Sequence, residues 1–130
     1  MPRLHRQAGG TASSVGVLRR ALRRWLVGVL DDEDAIDDLT LAASEALENA
    51  ADHAFVGRGS PGTITVSAEV EHGSEARAVV VTVADDGCWR PPSADPGHRG
   101  RGLAMIARLA GAHCLVPGRD GTSITLRHAC

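Results

Sequence analysis

The hydrophobic residues of this chain change their period three times along its length, and those changes limit the layers it can build. From Val15 to Leu30 the positions Val15, Leu18, Leu22, Trp25, Leu26 and Val29 recur every three or four residues, which predicts an amphipathic helix. A second helical stripe, Leu39, Ala43, Ala46, Leu47, Ala50 and Ala54, runs through about Ala35 to Phe55, and its alanines imply close approach to whatever it covers. Beyond the loop at 57–62 the period falls to two. Thr63 to Val70 alternates or is β-branched, and Ala78 to Ala84 reads as a second strand after the turn Glu71 to Glu75. Helical spacing returns over Arg101 to Gly111, and two last strands, His113 to Val116 and Ser123 to His128, flank a turn at Arg119 to Gly121. The order predicts an α+β fold, a two-layer α/β sandwich with helices on one face of a mixed, mostly antiparallel sheet.

At 130 residues the chain has room for one domain with a real core. Residues 1–13 carry no period and read as a flexible lead-in or a short edge segment, leaving 14–130 as the domain. Ser13 and Ser14 can cap the first helix, and the acidic run Asp31 to Asp34 places carboxylates at the start of the second, where the helix dipole favours them.

Composition removes several functions. All 14 basic residues are Arg. A chain without Lys cannot be a P-loop NTPase with the usual phosphate lysine, a eukaryotic-type protein kinase or a Schiff-base enzyme. A net charge of −2 and three aromatic residues, Trp25, Phe55 and Trp89, argue against a nucleic-acid partner. Cys88, Cys114 and Cys130 are odd in number and far apart, which fits reduced thiols better than zinc or disulfides. No apolar run is long enough to span a bilayer and the N-terminus lacks a signal-peptide core, so no membrane partner and a cytoplasmic location are expected. Arg19, Arg20, Arg23 and Arg24 share the polar side of the first helix. They read as a solvated face balanced by Asp31 to Asp34, or as a contact for an acidic partner or a homodimer.

Four places offer chemistry. Glu45, Asn49 and His53 follow one another at spacings of four on the second helix, so a carboxylate, an amide and an imidazole share one stripe. Such a stripe is a solvated face, or a site in which the carboxylate takes a proton and the amide oxygen ligates a hard cation such as Mg²⁺. Asp85-Asp86-Gly87 ends an apolar strand, where a rigid carboxylate can accept from an adenine amino group, although the same triplet is good turn chemistry. Gly97 to Leu103 is glycine-rich with Arg99 and Arg101, and it leads into a helix, an arrangement suited to phosphate or to simple flexibility. Gly121-Thr122 opens the last strand.

Taken in order, Glu45-x-x-x-Asn49, Asp85-x-Gly87, Gly100-x-Gly102 and Gly121-Thr122 resemble the N, G1, G2 and G3 boxes of the GHKL (Bergerat-fold) ATPases. The stretches 39–55 and 100–111 are similar to those of the anti-sigma-factor serine kinases and their actinobacterial relatives. The resemblance implies ATP and Mg²⁺ as ligands. It makes Glu45 the general base, Asn49 the Mg²⁺ ligand and Asp85 the partner of the adenine amino group. Gly87 would let the purine lie on the backbone, Gly100 and Gly102 would shape the lid, and Thr122 would support the adenine. His53 matches a frequent histidine of the branch, and Arg99 and Arg101 would neutralise phosphate charge. Trp89 stands where the pattern has a second glycine, which changes the shape of the adenine pocket. The partners implied are a sigma factor and a STAS-type anti-sigma-factor antagonist that the chain would phosphorylate on Ser or Thr. The other function compatible with the same boxes is a non-catalytic module that senses ATP or ADP and sequesters a regulator.

Overall fold

A computed structural model describes residues 3–54, 62–73, 76–87, 112–116 and 121–129, with backbone alone for 53, 54 and 112–116. The elements are β1 (Leu4–Gly9), α1 (Ala12–Val29), α2 (Glu33–Asn49) followed by a π-helical turn (Ala50–Ala54), β2 (Thr63–His72), β3 (Arg77–Asp85), β4 (Ala112–Val116) and β5 (Thr122–Ala129). The strands form one sheet in the order β1-β2-β3-β5-β4, and all four pairings are antiparallel. The largely antiparallel character expected of the sheet is therefore complete among the described residues. Both helices cover the same face, as expected of a two-layer sandwich. The helix expected at 101–111 lies outside the described residues, as does Phe55.

α1 buries Val15, Leu18, Leu22 and Leu26, with Trp25 and Val29 packed at the margin of the core. Each fully buried leucine contributes about 1.5–3 kcal/mol by leaving water. The helix begins three residues before the first apolar position. Its first flanking residue is Thr11, in an extended conformation, and Ser13 and Ser14 sit inside the first turn rather than capping it. Their hydroxyls lie 3.1 Å from the Thr11 hydroxyl. The cause is upstream: Gly9 and Gly10 turn the chain sharply out of β1, where Gly10 N–H donates to Gly62 O at 2.8 Å. Residues 4–9, anticipated as a flexible lead-in or a short edge segment, form the outermost strand on the β2 side, with Leu4 opposite Ala68 and Gly9 opposite Thr63.

At the other end Leu30 is extended and donates to Leu26 O. Asp32 then caps α2, its carboxylate accepting from Asp34 N at 3.0 Å and Ala35 N at 3.2 Å, while Glu33 and Asp34 occupy the first turn. An Arg23 to Asp37 ion pair of 2.8 Å ties the two helices together at the surface. Ala42, Ala43, Ala46 and Leu47 are buried against the sheet, so the small side chains do admit close packing. Thr40 is buried on the same helix and donates its hydroxyl to Ile36 O, which satisfies it.

The covered face of the sheet is built from cross-strand rows. Val70, Val79 and His128 form one row, followed by Ala68, Val81 and Leu126, then Val66, Val83 and Ile124, and finally Ile64, Asp85 and Thr122. On the opposite face Arg127 pairs with Glu71, and Thr82 and Thr125 approach through their hydroxyls. None of the helices among the described residues is long and apolar enough to cross a membrane.

Candidate nucleotide site

The apolar face of the sheet ends in a polar row. Alternation along β3 puts Asp85 on the same side as Val79, Val81 and Val83, and alternation along β5 puts Thr122 on the same side as Ile124 and Leu126. Register sets Asp85 directly opposite Thr122, so a carboxylate and a hydroxyl meet where the hydrophobic core stops. Burial pushes the Asp85 carboxyl above its ordinary value, and the neighbouring Asp86 adds to the rise. Hydrogen bonds from the backbone of Gly87 and Thr122 pull it partly back. The Gly87 N–H donates to Asp85 Oδ1 at 2.9 Å.

Thr122 is buried, and its hydroxyl oxygen has no hydrogen-bond partner among the described residues. Gly121 explains how β5 reaches so near: a Cβ there would stand 2.7 Å from the Asp85 carbonyl oxygen, closer than any side chain can tolerate. The glycine is required by the approach of two backbones. Its spacing beside Thr122 was visible in the sequence, but its steric role was not, because that depends on a strand pairing between distant segments.

Asp86 does a different job from Asp85. It is exposed, and its Oδ1 accepts from Thr63 N at 2.8 Å while its own N–H donates to Thr63 O at 3.3 Å. Both aspartates of Asp85-Asp86-Gly87 thus take part in the turn: Asp86 ties it to β2, and Asp85 accepts from Gly87 N–H while facing the core end.

Glu45 and Asn49 lie one turn apart on α2, both half-buried. The Asn49 amide oxygen is fully buried, with no hydrogen-bond partner among the described residues. Leaving such an oxygen unsatisfied costs about 1–3 kcal/mol, so an oxygen-seeking ligand would recover that cost. A lone neutral oxygen is the donor that Mg²⁺ accepts beside phosphate and water oxygens, which makes Asn49 a fit for it. α2 packs against β3 and β5, and the π-helical turn that follows it also packs against β3. The elements that carry the stripe and the polar row therefore pack on one another.

His53 lies in the π-helical turn that follows α2. α-Helical spacing ends at Ala50, whose N–H is shared between Ala46 O and Leu47 O, and the backbone then widens into the π turn that contains His53. The wider turn replaces the α-helical spacing of four by which position 53 is read. Arg99, Gly100, Arg101, Gly102 and Trp89 lie outside the described residues.

The family model for the histidine kinase-like ATPase domain matches residues 10–128. Among solved structures, the RsbU and RsbW domains of Rv1364c from Mycobacterium tuberculosis match with a TM-score of 0.78 at 30% sequence identity. That match covers 100% of this chain and 33% of the other, so the chain spans about a third of its length. The likeness is to the RsbW part, in keeping with the resemblance read from the four boxes. Matched over nearly all of its residues, and with its helices on one face of an antiparallel sheet, the chain belongs to the histidine kinase-like ATPase family and is RsbW-like within it.

Proposed function

We propose that this chain is an anti-sigma factor that binds ATP with Mg²⁺ and phosphorylates a serine or threonine of a small STAS-type antagonist. The observation that carries it is the pair of buried oxygens without partners among the described residues, Asn49 Oδ1 and Thr122 Oγ1, at two of the four motif positions. Asp85 accepts a hydrogen bond from the adenine amino group, and Thr122 supports the ring from β5. Gly87 and Gly121 keep the backbone bare beside it. Asn49 holds the Mg²⁺, which neutralises phosphate charge. Glu45 takes the proton of the acceptor hydroxyl, whose oxygen bonds to the γ-phosphorus as the bond to the β-phosphate oxygen breaks and ADP leaves. Positioning and charge neutralisation supply most of the acceleration in such a transfer. Arg99 and Arg101 serve the phosphates from the segment before residue 103. Phosphorylation releases the antagonist and leaves the chain to hold its sigma factor.

The test is calorimetry of ATP and ADP with and without Mg²⁺, joined to transfer of labelled phosphate to a purified antagonist. Binding that strengthens with Mg²⁺, and transfer abolished by Glu45→Ala with partner binding intact, supports the kinase. Binding without any transfer to an antagonist that it holds assigns the chain instead to nucleotide-dependent sequestration.

A further inference from the structure

The side of α2 turned away from the sheet has its own pattern. Asp34, Asp38, Leu41, Glu45 and Glu48 follow at spacings of four, three, four and three, so they form one ridge along the helix. Leu41, at its middle, is 45% exposed, one of three large hydrophobic side chains left in solvent among the described residues. Asp34 is exposed, and Asp38, Glu45 and Glu48 are half-buried. None of these carboxylates has an ion-pair partner among the described residues, whereas Asp37 on the flank is neutralised by Arg23 of α1. The ridge therefore keeps its negative charge, and it runs from the first turn of the helix to Glu45 and one turn past it.

We infer that this ridge selects the protein substrate: the segment that brings its hydroxyl to Glu45 carries an apolar residue for Leu41 and an Arg or Lys for Asp38 and Asp34. The inference rests on the proposed role of Glu45 as the base, because a hydroxyl held there lays its own flanking residues over the neighbouring turns of α2. Along the helix axis Leu41 stands about 6 Å from Glu45, Asp38 about 10 Å and Asp34 about 16 Å. An extended segment advances about 3.3 Å per residue and shows alternate side chains to one face, so the second residue from the acceptor falls on Leu41 and the fourth between Asp38 and Asp34. Other occupants fit less well. No group of three His, Cys, Asp or Glu residues placed to hold a metal occurs among the described residues, so the carboxylates are too spread out to chelate a cation. A second copy set across a twofold axis at Leu41 would put Asp38 against Glu45 and Asp34 against Glu48, opposing like charges throughout, and a nucleic acid is repelled.

The probes are two fluorescein-labelled serine peptides on an alanine frame, with Leu at the second and Arg at the fourth position from the serine, N-terminal to it in one and C-terminal in the other. Each is titrated by anisotropy into the full chain with a non-hydrolysable ATP analogue and Mg²⁺, at low and high salt. Saturable binding of one of them is expected to weaken with salt, and to fall about tenfold or more in Asp38→Lys and about threefold or more in Leu41→Ser. A peptide with Glu in place of Arg should reverse the order, binding Asp38→Lys more tightly than the wild type. Both variants lie outside the proposed nucleotide contacts and should retain wild-type ATP affinity, measured in parallel, which also shows that they are folded. Absence of saturable binding of either peptide to a wild type that binds ATP overturns the inference while leaving the nucleotide site standing. Equal binding of the Arg and Glu peptides by the wild type, or equal binding of the Arg peptide by Asp38→Lys, overturns it too. Peptide discrimination retained in a chain that transfers no phosphate supports the ridge and counts against the proposed kinase alone.

Discussion

The two ends of the covered sheet face are made by the same strands and obey different rules. In the rows Ala68, Val81, Leu126 and Val66, Val83, Ile124 every side chain is apolar and buried, and nothing polar needs a partner. One residue pair further along β3 and β5, the row Ile64, Asp85, Thr122 carries a carboxyl raised by burial and a hydroxyl with no partner. Apolar burial is concentrated in the first region, and the binding chemistry proposed above draws on the second. A continuous strand lets the rigid part hold the costly part in place.

Substitutions can break this division. Leu22→Ala, in the packed region, should have the largest effect on folding, a loss of about 2–5 kcal/mol measured by denaturant unfolding, with ATP affinity unchanged in the folded fraction. Gly121→Ala should cost about 1–3 kcal/mol, because its methyl group meets the Asp85 carbonyl oxygen, and it should also weaken ATP binding. A glycine in the polar region that proved neutral in both assays would show that β5 can move away freely.

Asp85→Asn should lower ATP affinity by about ten- to a hundredfold in calorimetry without destabilising the fold. The sign follows from its titration. The native carboxyl keeps its proton to a higher pH than the unfolded one, so the native state binds more protons and stability falls as pH rises from the ordinary aspartate value through the raised one. Thermal unfolding across that range should show the decline in the wild type and a flatter profile in Asp85→Asn. Thr122→Val should have the smallest effect, a gain of up to about 1 kcal/mol in stability with a severalfold loss of ATP affinity, since it removes the hydroxyl that folding leaves unsatisfied. Together these would sharpen the contrast into opposite responses of stability and binding.

Much of the frame was legible in residue spacing. The stripe from Val15 to Val29 identified α1, and the alternation in 63–70 and 78–84 identified β2 and β3 to within two residues at each end. β1 gave no such signal, because an outermost strand with only Leu4 buried shows no alternation to read. The start of α1 was misplaced for a related reason: Ala12, Ser13 and the Gly9-Gly10 turn are set by the strand before the helix, not by the helix's own apolar face. In the site, the motif order pointed to Glu45, Asn49, Asp85 and Thr122. What spacing could not supply was the third dimension. The tie between Asp86 and Thr63 and the steric demand at Gly121 both arise from pairings between distant segments.

The position of β1 has a bearing on the order in which the molecule assembles. Leu4 meets Ala68, and both helices lie in the chain between them, so this edge closes only after a long loop has been brought together. The α1 and α2 hairpin needs only neighbouring residues, and so does the pairing of β2 with β3. Contacts of that kind form first. The strand synthesised first is thus expected to dock late, and its amides should exchange hydrogen sooner than those of β3 at the centre of the sheet.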